Sequence, residues 1–141
     1  MRMLFACALA LLMPVAAFAA DADQKAEGQV SDACKAWLVL VDQGKYAEAW
    51  SRAGSDFQKA VTADKWAAAI KPLREPLGAA VWRHPSGVVM QASGLGGRDG
   101  ALVFFTTDFA NKKQVLEKLT VSAEGGGWRI ASYTIKLPSA D

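Results

Sequence analysis

The sequence predicts an α+β domain, with N-terminal helices packed on one face of a curved four-stranded antiparallel β-meander. Three observations predict it. Apolar residues recur every three or four positions through the first half of the chain, the period drops to two after Leu77, and the alternating segments are separated by short glycine- or asparagine-bearing turns. At 141 residues the chain has the length of one domain, since two would each be too small to bury a good core.

Residues 1–19, MRMLFACALALLMPVAAFA, begin with a positive charge at Arg2, run uncharged from Met3 to Phe18 and carry small residues at Ala17 and Ala19. This is the pattern of a secretory signal peptide, with cleavage expected after Ala19. The alternative is an uncleaved membrane anchor, because the apolar stretch approaches spanning length. Leu4-Phe5-Ala6-Cys7 stands too near the start to act as a lipoprotein cleavage box. Cleavage would remove 19 of the 141 residues and leave 122, lowering the net charge from +2 to +1 as Arg2 departs. No later stretch is apolar enough to span a bilayer, so the mature chain is expected to be soluble and to reside in the periplasm or outside the cell. Residues 20–28 read as a flexible lead-in and residues 29–137 as the domain.

Val30, Ala33, Cys34, Trp37, Leu38 and Val41 lie on one face of a first helix, which Asp42-Gln43-Gly44 ends with glycine in the left-handed cap. Tyr46, Ala49, Trp50 and Ala53 continue the spacing in a second, shorter helix. Ser55-Asp56-Phe57-Gln58 has the form of a capping box, with Gln58 reaching back to the Ser55 N–H. Thr62 caps a further helix, with Asp64 in its first turn and Trp66 and Ile70 one turn apart. Pro72 and Pro76 each remove a backbone donor, so this helix should kink or stop between them.

Leu77–His84 and Val88–Ser93 read as one strand bent at Pro85-Ser86-Gly87. Ser93–Gly100 is a loop. Ala101–Phe109 is rich in Val, Phe and Thr, as strands are. Ala110-Asn111-Lys112 turns the chain into a strand over Lys113–Ala123, and Gly125-Gly126-Gly127 turns it into the last, Trp128–Leu137.

Composition narrows the function classes. Hydrophobic residues make up 52% and charged residues 21%, an ordinary globular balance. A net charge of +2 with no basic stripe argues against nucleic acid as a partner. One His and two Cys exclude a multi-His or multi-Cys metal site within one chain, and no cofactor is implied. With Cys7 in the signal, Cys34 is left alone, so no disulfide is expected within the chain. Its place on the apolar helix face points to a buried small hydrophobe.

The residues Trp37-Leu38, Asp42-x-Gly44-x-Tyr46, Trp50, Phe57, Val61 and Trp66 stand in a characteristic order. It continues through Arg74, Leu77-Gly78, Arg83, Glu117 and the closing Trp128-Arg129-Ile130-x-x-Tyr133-x-Ile135. From about Cys34 to Lys136 this resembles the bacterial domain-of-unknown-function family 4019. The resemblance implies an exported bacterial domain with helices preceding a β-meander, and it implies no established activity. The Trp-Arg-Ile ending is also similar to the last strand of cone-shaped NTF2-like domains, so an NTF2-like or cystatin-like cone is the finer expectation. Such folds host enzymes and non-enzymes alike.

Few residues are placed to do chemistry. His84, the single histidine, precedes a proline at a strand bend and reads as a solvated residue. No His/Cys triad can be assembled, and no G-x-S-x-G elbow marks a serine, so no residue is assigned as catalytic. The glycines of SGLGGRDG and EGGGW lack the spacing of a phosphate loop and lie between strands, as turn glycines do. Trp37, Trp50 and Trp66 sit on helix faces and read as core.

Glu117 stands out, because its strand neighbours on the same face are Val115, Leu119 and Val121. It should point into the core or a cavity, where a carboxylate needs a partner. Arg74 and Arg83 are the candidates. An ion pair closing one end of the sheet is the simpler reading; a general base or ligand anchor in a pocket between sheet and helices is the sharper one. Trp82, beside Arg83, is expected at an edge or at the mouth of such a pocket. Arg74, Trp82, Arg83 and Glu117 are therefore the candidate ligand-binding residues. The expected function is non-catalytic binding of a small ligand, an envelope component or a protein partner. The alternatives are a small hydrolase or isomerase using Glu117, and an interaction module with an exposed sheet face.

Overall fold

The computed structural model describes residues 16–139. The signal-peptide reading falls almost wholly on residues outside this span. Four helices precede four strands: α1 (Ala16–Asp42), α2 (Tyr46–Arg52), α3 (Ser55–Ala60), α4 (Ala63–Arg74), β1 (Ala80–Gln91), β2 (Gly100–Phe109), β3 (Val115–Glu124) and β4 (Gly127–Lys136). The strands form one open antiparallel sheet in the order β1-β2-β3-β4, so the α+β meander stands as expected. Among the described residues no helix is long and apolar enough to cross a membrane.

Helix α1 is longer than its periodic stretch. Residues 20–28, expected as a flexible lead-in, belong to its first turns and are exposed apart from half-buried Ala26. Good helix formers such as Ala, Gln, Lys and Glu extend the helix past the point where its apolar face is buried. Its other end is as expected, with Gly44 at φ +72° just beyond Asp42. Thr62 caps α4 by accepting from the Lys65 N–H at 3.4 Å. The helix runs through Pro72 and stops at Arg74, where a single 3-10 turn (Glu75–Leu77) takes over.

One local expectation is overturned. Ser55 is the first residue of α3, not its cap; Gly54 holds that position. The Ser55 N–H donates to the Glu124 carboxylate at 3.0 and 3.2 Å, and the Ser55 hydroxyl donates to it at 3.2 Å. Gln58 turns away and donates to the carbonyls of Trp50, Ser51 and Ala53. A carboxylate from the β3–β4 hairpin thus displaces the local box, since an anion at a helix N-terminus also meets the positive end of the helix dipole.

Strand β1 bends where expected, with register irregularities between Ala80 and Trp82 and between Pro85 and Gly87. The β3–β4 turn uses Gly125 and Gly126 at φ +61° and +78°, as a two-residue turn with positive φ at both positions requires. The helices cover the inner face of the sheet. Val30, Cys34, Trp37, Leu38 and Val41 of α1 join Ala49, Phe57, Trp66 and Ile70 in one core with Val103, Phe105, Leu119, Val121, Ile130 and Tyr133. Trp37 is its centre, with ring centroids 5.4–6.1 Å apart linking Trp37, Phe57 and Trp66, and 5.5 Å between Trp37 and Tyr133. Its indole N–H donates to the Ala49 carbonyl at 2.8 Å, so the polar handle is satisfied. Trp50 packs at the margin and donates to the Val61 carbonyl at 2.8 Å.

Candidate functional site

Each strand places one polar side chain on the buried face at the same end of the sheet. Arg83 of β1 lies opposite Thr107 of β2. Thr107 lies opposite Val115, two residues before Glu117 on β3, and Glu117 lies opposite Ile135, two residues after Tyr133 on β4. The alternation of the strands therefore draws Arg83, Thr107, Glu117 and Tyr133 into one diagonal row. The helical layer adds Asp42, the last residue of α1, and Arg74, the last residue of α4.

Glu117 is completely buried. Its Oε1 accepts from Arg83 Nε at 2.8 Å and from the Thr107 hydroxyl at 2.5 Å, and its Oε2 accepts from the Tyr133 hydroxyl. Arg83 uses its other end as a fork on Asp42, with Nη1–Oδ2 2.7 Å and Nη2–Oδ1 2.9 Å. Arg74 Nη2 donates to the same Asp42 Oδ1 at 2.5 Å, and its guanidinium lies 4.4 Å from the Phe109 ring centroid. Two guanidiniums and two carboxylates balance in charge. A negative side chain at the C-terminus of α1 is unfavourable by itself, and the two arginines offset it. Arg74 is only 4% exposed, and its Nε and Nη1 have no hydrogen-bond partner.

The environment shifts two of these groups. Burial works against a charged Arg83, but the hydrogen bonds and charges of Asp42 and Glu117 outweigh it, so its pKa is raised. Burial pushes the Tyr133 phenol well above its ordinary value, and the Glu117 carboxylate reinforces that shift. Tyr133 is therefore a neutral donor at any physiological pH.

Beside the network lies an open cleft of about 460 Å³. It is lined by the end of α1 (Val41, Asp42, Gln43, Gly44), Tyr46, the end of α4 (Lys71, Arg74, Glu75) and Gly78-Ala79. Lys71 and Glu75 face each other on its rim at 3.7 Å, both exposed. Glu117 does not line this cleft. Nor is any group of three His, Cys, Asp or Glu side chains placed to hold a metal among those residues.

Of the four candidate residues, the fold brings Arg74, Arg83 and Glu117 together. Arg83 pairs directly with Glu117, whereas Arg74 reaches the network through Asp42. Trp82 lies apart. It is 55% exposed on the outer face of edge strand β1, where it stacks on His84 at 5.2 Å with the rings 2° from parallel. Sequence reasoning passed over Asp42, Thr107 and Tyr133 as members of the site. Thr107 carried a signal, being polar in an otherwise apolar alternation of Ala101, Val103, Phe105 and Phe109.

An α+β domain whose helical layer is tied to its sheet by a buried charge network is the class of protein defined here. The chain belongs to the family described as protein of unknown function (DUF4019), whose model matches residues 33–133. No curated protein and no solved structure matches the chain.

Proposed function

We propose that this protein is an exported, non-catalytic binding domain of the cell envelope that takes a small polar ligand in the cleft beside Asp42 and Arg74. The observation that carries the reading is the state of Glu117. Both of its oxygens are engaged, it has no exposed surface, and it does not line the cleft beside it. A general base must come within hydrogen-bond reach of its substrate, so the hydrolase or isomerase alternative meets an acid with no access. The cleft, by contrast, is open and carries two acidic and two basic side chains, Asp42 and Glu75 with Lys71 and Arg74. That balance suits a ligand offering both signs or both donors and acceptors, such as an amino acid or short peptide.

Export rests on the first 19 residues. The NTF2-like or cystatin-like cone belongs to the same proposal and is supported by helices set in front of a four-stranded meander.

Chemical-shift mapping with a panel of amino acids, short peptides and other envelope metabolites tests the reading, using the Gly44 and Gly78 amides as reporters of the cleft. Saturable shifts there without turnover are expected. Turnover of any panel member, with its loss in Glu117→Gln, would instead establish the enzymatic alternative. Export is checked by N-terminal sequencing of the protein recovered from a bacterial periplasm, which should begin at Ala20.

A further inference from the structure

A second hollow, of about 260 Å³, lies between α1 and β4 and shares no lining residue with the charge network's cleft. Its floor is the buried pair Trp37 and Ile130, and its walls are small or apolar α1 side chains, including exposed Ala36, facing half-buried Trp128. Two cations, Arg52 at the end of α2 and Arg129 on β4, complete the lining, which contains no acid. Arg52 is engaged by Glu48 at 2.7 Å on the exposed surface of α2. Arg129 is exposed and makes no ion pair among the described residues. The acid that feels its charge, Glu124, is directed to Ser55 and Arg98.

Trp128 also walls an adjoining hollow of about 240 Å³, lined by Ala26, Met90, Ala92 and Gly100 together with the polar Gln91 and Asp99. The two hollows meet at Trp128, and the one that carries the guanidiniums is the one without an acid.

We propose that this α1–β4 trough binds an acyl chain carrying a carboxylate, the chain lying on Trp37 and Ile130 and the headgroup meeting Arg129 and Arg52. Concave apolar sites with a few convergent polar groups are the usual form of small-molecule sites. A planar guanidinium matches a carboxylate in geometry as well as charge. The site is separate from the polar cleft and does not rest on it.

The probes are decanoate, decanol and decyltrimethylammonium, each below its micellar concentration, titrated into the purified protein. Binding is followed by the indole N–H resonances of Trp37 and Trp128. Saturable decanoate binding at least tenfold tighter than decanol, with decyltrimethylammonium weaker still, is expected. Arg129→Gln together with Arg52→Gln should remove the preference for decanoate and leave decanol binding unchanged. Ala36→Phe, at an exposed position that leaves the core intact, should fill the trough and abolish both. Absence of saturable binding, equal affinity for the three chains, or undiminished binding in Ala36→Phe overturns the proposal. Because neither Trp37 nor Trp128 lines the polar cleft, this outcome is read separately from shifts at Gly44 and Gly78.

Discussion

At the level of single residues, Glu117 governs the energetics of the site. A carboxylate buried among Thr107, Arg83 and Tyr133 is stable only while all three donors remain. Removing one partner from such a pair leaves an uncompensated charge, at a cost of about 3–5 kcal/mol. Glu117→Leu should therefore lower the stability read from urea unfolding by that order. Replacing Glu117 and Arg83 together by apolar residues should cost less than Glu117→Leu alone, because Asp42 keeps Arg74. A double variant less stable than the single one would show that the network holds the fold by more than mutual neutralisation.

Two buried acids also set an alkaline limit. Burial pushes the Cys34 thiol from 9.0 up to about 12 and raises Tyr133 well above 10.0. Both bind their protons more tightly when folded. Their contribution is therefore complete below about pH 9 and is lost as pH climbs through their folded values. Stability should fall steeply above pH 9, and Cys34→Ala should flatten the first part of that slope even if its overall level is lower. At neutral pH Cys34 should be silent to thiol reagents until the chain is unfolded.

Among the elements, α3 shows how distant sequence displaces local sequence. Ser55-x-x-Gln58 has the letters of a self-contained cap, yet Glu124, 69 residues away, takes the Ser55 N–H. The local motif was legible and the tertiary competitor was not, because nothing in either segment announces that the hairpin will arrive there. The Ser55 backbone hydrogen bond holds the Glu124 carboxyl below its ordinary value. A lowered acid stabilises above its ordinary pKa and ceases to as pH falls through the lowered one. Glu124→Gln should thus reduce the melting temperature at pH 7, with the difference from the parent shrinking steadily below about pH 4. A constant difference across that range would assign the effect to packing.

By contrast, the strands were legible to within three residues at their ends, because alternation in a one-sided sheet admits only one register. Glu117 could be placed inward by the same logic, and Arg83 found as its partner. Asp42 could not, because a polar residue after Val41 and before Gly44 reads as a helix end.

Over the whole molecule, helices and sheet share one main core, beside which Leu77, Phe109 and Val115 form a small second cluster. Trp37 spans it, packing on Phe57 and Trp66 in the helical layer and on Tyr133 in the sheet. Trp37→Ala should cost about 3–5 kcal/mol. Unfolding should remain a single transition in which tryptophan fluorescence and far-ultraviolet circular dichroism coincide. Separate transitions for the two signals would mean that the helical layer detaches from an intact sheet. Trp82 marks what periodicity could not decide at this scale: alternation puts it opposite Arg83 in direction, and the assembled sheet puts it outside, away from the network.

What the sequence determined by itself is the order of helices and strands, the inner face of each strand and the need of Glu117 for a cation, because periodicity and turn chemistry act within a few residues. The tertiary structure decided which groups meet. Asp42, Arg74 and Tyr133 converge on Glu117 and Arg83, and Glu124 reaches α3, only once the sheet register and the helix packing bring together groups that lie tens of residues apart. Such meetings depend on long-range geometry and desolvation, neither of which leaves a mark on the local pattern.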